Sequence, residues 1–189
     1  MKKILTLLVV ILGIFISCSN EKTDSSAKEG SKKILVVYFS ATGNTKRIAQ
    51  IIASDRNADI FEIIPESPYT TEDLNSKNPD SKVAKEKADK SIRPKIKNSV
   101  GNFSQYDVVF LGYPIWWGEA PRIMNTFVEK NDFNGKTVIP FVTSGNSEIG
   151  TSPNPLKEKT KGAAWKEGKR FSASSSEADV KKWIKELGL

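Results

Sequence analysis

No histidine occurs anywhere in the 189-residue chain. That removes Ser-His and Cys-His nucleophile systems and any histidine-based metal centre. A single cysteine, Cys18, leaves no disulfide to be formed within the chain. The acidic residues are scattered, with no recognisable catalytic pair among them. Two common nucleotide fingerprints are also missing: there is no GxxxxGK[ST] loop and no GxGxxG turn.

The charge is of one sign and of one place. The chain has 29 Lys and Arg against 22 Asp and Glu, a net charge of +7. Lys2 and Lys3 account for two of these charges. The segment from Ser76 to Lys97 carries a net charge equal to the remaining five, with Lys77, Lys82, Lys85, Lys87, Lys90, Arg93, Lys95 and Lys97 against Asp80, Glu86 and Asp89. No aromatic residue interleaves these cations, which argues against nucleic acid as the partner. A solvated helix face, an anionic lipid surface and an acidic partner all fit the pattern.

The N-terminus reads as an export signal. Lys2 and Lys3 precede an apolar run from Ile4 to Ile16. The run is shorter than the roughly 20 residues a membrane span needs, and it has the length of a signal-peptide core. It closes on "FISC", which resembles a bacterial lipobox with Phe15 in place of the usual aliphatic residue. Cys18 would then be the lipidated first residue of the mature protein. A plain signal peptide and an uncleaved anchor remain the alternatives. The polar stretch Ser19–Lys33 reads as a tether. The expected organisation is a lipoprotein-type signal over residues 1–17, a flexible tether over 18–31 and one folded domain over 32–189. This implies an exported protein anchored in the envelope of a bacterium.

Within that domain, strand and helix patterns alternate. "KILVVYF" (33–39), "ADIFEIIP" (58–65), "YDVVFLGYP" (106–114) and "KTVIPFVTS" (136–144) are short continuous apolar runs, as expected of strands covered on both faces. "AAWKEGKRF" (163–171) is a weaker edge-strand candidate. Helical patterns follow at 44–55, near 81–91 with Ala84, Ala88 and Ile92 spaced by four, after Pro121 with Ile123, Met124, Phe127 and Val128 inward, and at 176–189 with Ser176 as cap. The alternation predicts an α/β fold, a parallel sheet with helices on both faces. In such sheets ligands bind beyond the carboxyl ends of the strands.

Three loops should share that edge. "SATGNT" (40–45) places hydroxyls, a glycine and a helix start together, a pattern suited to holding an anion through backbone N–H groups. It lacks the cation that phosphoryl transfer would need, so it reads as an anchor for a phosphate that is not cleaved. "GYPIWWGEAP" (112–121) offers two adjacent indoles for stacking on a planar ring, and one of them is expected to plug the core instead. "TSGNSEIG" (143–150) supplies small donors and acceptors.

With these motifs the chain resembles a flavodoxin. "SATGNT" matches the phosphate loop [ST]-x-T-G-x-T of that family, and the other two loops are similar to the flavin-flanking loops of a flavodoxin-like subgroup. The likeness runs from Lys33 to Leu189. It implies a flavodoxin-like three-layer sandwich on a five-stranded parallel sheet of order 2-1-3-4-5, with non-covalent FMN. It puts the phosphate on Ser40, Thr42, Gly43, Asn44 and Thr45. It puts the isoalloxazine ring against Pro114, Ile115, Trp116, Trp117, Gly118, Ser144 and Gly145. Tyr69 is a further candidate for cofactor contact, and a Trp117–Gly118 peptide could turn its carbonyl toward the flavin.

The implied activity is electron transfer through FMN to an unidentified redox partner protein or a small quinone-like acceptor. The alternatives are an FMN-dependent NAD(P)H quinone or nitro reductase and a binding module without flavin. Flavodoxins are usually acidic; the basic charge of this chain departs from them. A flavin environment of apolar indoles without nearby cations is expected.

Overall fold

A computed structural model describes residues 32–189. The signal peptide, tether and Cys18 lie outside the described residues. The chain runs β1 (Ile34–Tyr38), α1 (Asn44–Arg56), β2 (Asp59–Glu62), α2 (Lys82–Ala88), β3 (Val108–Pro114), α3 (Arg122–Lys130), β4 (Thr137–Thr143), α4 (Asn154–Lys157), β5 (Ala164–Trp165), β6 (Lys169–Phe171) and α5 (Glu177–Glu186). The sheet is parallel throughout, in the order β2-β1-β3-β4-β5, with β6 also on β4. The predicted strand order is thus observed, with one strand more than expected.

β1, β3 and β4 are apolar on both faces because each face meets a different set of helices. Leu35, Val37 and Phe39 of the β1 region join Val109, Leu111, Ile123, Met124 and Phe127 in one core. Ile34, Val36 and Tyr38 point the other way, to Ile48, Ile52, Val180, Trp183 and Ile184 of α1 and α5. A side-chain period of two makes this division automatic. Helix α5 starts at a capping box: Ser176 Oγ accepts from Asp179 N at 3.1 Å and Asp179 Oδ2 accepts from Ser176 N at 3.0 Å. Such a cap contributes about 1 kcal/mol.

Helix α2 departs from its predicted face. Its buried residues are Val83 and Glu86, whereas Ala88 is exposed. The helix stops at Asp89, whose carboxylate accepts from Ser91 N and Oγ at 2.8 and 2.6 Å. The four-residue spacing to Ile92 therefore never forms one stripe. The surrounding stretch is fixed by tertiary contacts. Pro65 and Ile96 form an antiparallel bridge, and Asn98 Nδ2 donates to Glu62 O at 2.7 Å.

The edge strand is interrupted opposite β4. β5 pairs Thr137 with Ala164, while β6 pairs Phe141 with Lys169, so the edge gains one residue between the two. The break faces Pro140. Val138 O accepts from Lys166 N on this side, and the period of two turns the nitrogen of Pro140 to the same side. That nitrogen has no hydrogen to donate. Gly168 fills the gap: a Cβ there would lie 2.3 Å from Pro140 O and 2.6 Å from its Cγ. Gly168→Ala should therefore lower stability by about 1–3 kcal/mol in urea unfolding. An unchanged midpoint would show that the edge relaxes freely.

Candidate functional site

The three loops meet at one residue. Thr143 ends β4, and its Oγ1 lies 2.7 Å from Thr45 Oγ1, both hydroxyls being buried. Its carbonyl accepts from Ile115 N at 2.9 Å. Ser144 follows and opens the third loop. All twelve domain residues expected at the site therefore lie at the carboxyl edge of the sheet.

The first loop is built as an anion cradle. Phe39 is buried and ends the apolar run, so the chain leaves the sheet at Ser40. Gly43 adopts φ 87° and ψ −17°, and α1 begins immediately after it. A left-handed residue followed by a helical one directs successive N–H groups to one side. No side chain caps this helix. Gly43 N donates to Ser40 Oγ at 3.1 Å, and Arg47 N donates to Gly43 O at 3.0 Å. Between them, the N–H groups of Asn44, Thr45 and Lys46 find no acceptor among the described residues. Ser40 and Thr42 accept hydrogen bonds and keep their own protons to donate. The nearest cations are engaged elsewhere: Lys46 Nζ with Glu62 at 3.0 Å, and Arg47 with the carbonyls of Ser172 and Ala173. The hydroxyl of Thr45 faces inward to Thr143, so its contribution to the cradle is its N–H.

The second loop divides the two indoles as expected. Trp116 is half-buried, edge-on to Phe39 with ring centres 5.8 Å apart and to Tyr69 at 5.3 Å. Trp117 is 40% exposed. The backbone explains the difference. Trp116 and Glu119 exchange both N–H···O bonds at 3.0 Å, and the two residues between them have positive φ, 49° at Trp117 and 78° at Gly118. That is a type I′ turn, which favours Asn-Gly. A bulky residue in this conformation is unusual and strained. The indole is thereby lifted off the core with Lys87 Nζ 5.0 Å from its centre.

A cavity of about 370 Å³ joins the two loops, lined by Thr42, Pro114, Ile115, Trp116 and Trp117 and covered by Leu74 and Val83. Leu74 and Val83 come from the polar stretch after β2, whose hydropathy gave no hint of them.

The third loop carries a second surprise. The Arg170 guanidinium donates to Ser144 Oγ at 3.2 Å, Ser144 O at 3.0 Å and Gly145 O. With Lys87 on Trp117, this places cations beside two of the three loops. The expected lack of cations around the flavin-flanking loops is therefore not observed. Both Arg170 and Lys87 escaped sequence reading because each reaches its loop from a distant element.

Behind the turn lies a buried polar network. The Glu86 carboxylate accepts from Tyr69 Oη at 2.6 Å and from Arg122 N at 3.3 Å. Arg122 reaches back to Glu86 O at 3.0 Å and forward to Glu119 at 2.5 Å. Burial pushes Glu86 above the usual carboxylate range, and burial together with the Glu86 charge pushes Tyr69 up as well. The Lys90 ammonium and the Arg122 guanidinium hold Glu119 below that range. Glu119 is thus an ion-paired partner of the turn.

The sequence profile of the Flavodoxin family matches residues 33–187. The chain belongs to the flavodoxin family. Among solved structures it is similar to a Bacteroides eggerthii protein assigned as a flavoprotein, at 44% identity and TM-score 0.78, covering 84% of this chain and 99% of that one. A second, assigned as a flavoprotein of Bacteroides uniformis, shares 42% identity at TM-score 0.77, over 82% of this chain and 98% of that one. A flavoprotein of Lactobacillus acidophilus, solved in complex with FMN, shares the fold at 21% identity and TM-score 0.62, over 82% of this chain and 99% of that one. No curated protein matches the sequence.

In this flavodoxin the Thr45–Thr143 contact can be tested directly. Thr143→Val leaves the buried Thr45 hydroxyl unpartnered and should cost about 1–3 kcal/mol in urea unfolding. Adding Thr45→Val should recover part of that loss. Strictly additive losses would show that the contact couples nothing.

Proposed function

We propose that the domain binds FMN non-covalently and serves as an electron-transfer flavoprotein. The observation that carries this reading is the row of unpartnered N–H groups at Asn44–Lys46, in the loop whose Ala41 and Thr42 line a cavity walled by Trp116 and Trp117. The cradle fits a phosphate monoester, because a helix start and hydroxyl donors hold an anion without a metal or a lysine. The cavity fits a planar ring, because its walls are Pro114, Ile115 and the two indoles. FMN supplies one- and two-electron redox chemistry when bound. The chain's own residues then bind, orient and shield it. Ser40, Thr42, Gly43, Asn44 and Thr45 anchor the phosphate. Pro114 to Gly118 flank the ring, while Ser144 and Gly145, steadied by Arg170, border its polar edge. The family match and the Lactobacillus acidophilus complex with FMN support the choice of cofactor.

Titration of the apo domain, residues 32–189, with FMN and with riboflavin tests the binding. FMN should bind at least tenfold more tightly, and equal affinities would overturn the phosphate assignment. With FMN bound, slow turnover of NAD(P)H against a quinone supports the carrier, whereas rapid steady turnover points to a reductase.

The strained turn makes a sharper prediction. Trp117→Asn gives the type I′ turn its favoured residue, so stability of the apo domain should hold or rise by up to about 1 kcal/mol. FMN affinity should fall at least tenfold, since the stacking surface is gone. A variant that loses stability and keeps affinity would contradict the assigned role.

We further propose that the protein is exported and tethered to a bacterial membrane through lipid on Cys18, with residues 19–31 as spacer. The apolar run and the lipobox-like "FISC" support this. Metabolic labelling with a radioactive fatty acid should mark the full chain and fail on Cys18→Ala. Equal labelling of both would sink the proposal.

A further inference from the structure

The Trp116–Glu119 turn is gripped at both ends by groups that converge on Glu86, through its carboxylate and its main-chain carbonyl. On one side, Glu86 holds the Tyr69 hydroxyl at 2.6 Å, and the Tyr69 ring packs edge-on against Trp116 with centres 5.3 Å apart. On the other side, Glu86 accepts from Arg122 N and Arg122 Nε donates to the Glu86 carbonyl, while the Arg122 guanidinium holds Glu119. Glu119 closes the turn by exchanging backbone hydrogen bonds with Trp116. Glu86 is 6% exposed and Arg122 6%. Keeping two charges buried is costly, and an apolar pair of similar shape would often serve stability as well. The network does more than fill space, because it spans α2, α3, the turn and the segment carrying Tyr69.

We propose that Glu86 is a positioning residue for the flavin site: acting through Tyr69 and Arg122, it sets the Trp116–Glu119 turn in the conformation that receives the isoalloxazine ring. This rests on the FMN reading above. Glu86 does not line the cavity between Thr42 and the indoles, and it shares a second pocket with Trp116 and Trp117, so its effect on a ring in the first cavity passes through the turn. Helix α2 supplies the lever. Its Val83 lines the cavity, its Glu86 holds the turn from behind, and its Lys87 sits on the outer face of Trp117.

The charged and titratable groups facing Glu86 are Tyr69, Arg122, Lys82 and Lys85, with Asp73 acting on Tyr69 and with Glu119 and Lys90 beyond Arg122. Protonating Glu86 removes an acceptor from Arg122 N. Burial raises the Glu86 pKa, so protonation favours the fold and its contribution to stability declines as pH rises through the folded pKa. Its grip on the turn has the opposite pH dependence, weakening as pH falls. A carboxylate acting only on stability would move both quantities the same way.

The experiment compares wild type, Glu86→Gln, Tyr69→Phe and the double variant in apo thermal unfolding and in FMN titration from pH 5 to 8. FMN affinity of Glu86→Gln should be at least fivefold weaker at pH 8, with apo melting equal to or above wild type. The wild-type affinity should approach that of Glu86→Gln as pH falls; the phosphate of FMN titrates identically in both and cancels in the ratio. The double variant should lose less than the product of the single losses, since Tyr69 lies on the same path. Visible flavin circular dichroism should change in each single variant. Equal FMN affinity at every pH in wild type and Glu86→Gln would overturn the proposal, as would a loss that tracks apo melting. Wild type failing to bind FMN would overturn the FMN reading itself, a separate outcome.

Discussion

One buried contact, between the hydroxyls of Thr45 and Thr143, organises everything at the working edge of the sheet. It ties the start of α1 to the end of β4, two strands away across β3. The carbonyl of Thr143 fixes Ile115 and with it the root of the tryptophan turn. The third loop begins one residue later. Three segments, the first and last 98 residues apart in sequence, therefore share a single fixed point. The parallel sheet makes this economical, because every strand delivers its following loop to the same edge.

From that point outward, apolar packing gives way to polar groups. The sheet interior is dry and apolar, as Val36, Val37, Phe110 and Leu111 show. The cradle at Gly43–Lys46 presents backbone donors whose direction is set by a helix, so an anion can be held without reorganisation. The turn at Trp117–Gly118 stores strain that the fold alone has no use for. Residues held in rare conformations collect where function requires them, and here the conformation exposes a large indole beside an apolar cavity. Buried Glu86 and Arg122, each bonded to the other's backbone, lie behind that turn. Strain in front and charge behind are both costs to stability at the same few residues.

Most of the sheet was legible in the sequence. β1, β3 and β4 are continuous apolar runs, and such runs have one outcome when helices cover both faces. The first loop was legible because its hydroxyls, glycine and helix start are contiguous. The two indoles were legible as a pair with divided roles, and Trp116 and Trp117 divide as their neighbours dictate. The split of the edge strand was not, because Pro140 affects it across the sheet from a residue far away in sequence. Helix α2 was placed nearly correctly and faced wrongly, since Asp89 and Ser91 end it before the alanine spacing can form a stripe. Glu86, Arg122 and Arg170 were invisible for a similar reason. Each has a partner 17 to 36 residues away, and each looked like a surface charge until the fold brought the partners together.

Under the proposed function, backbone amides rather than side-chain cations hold the phosphate of FMN. Amide nitrogen–proton correlation spectra of the labelled domain test it most directly, recorded with FMN and with riboflavin. The account predicts that the amide protons of Asn44, Thr45 and Lys46 move strongly downfield with FMN and much less with riboflavin, as expected for N–H groups gaining a charged acceptor. Saturated flavin binding with those three amides unmoved would contradict it, and would place the phosphate somewhere other than the start of α1.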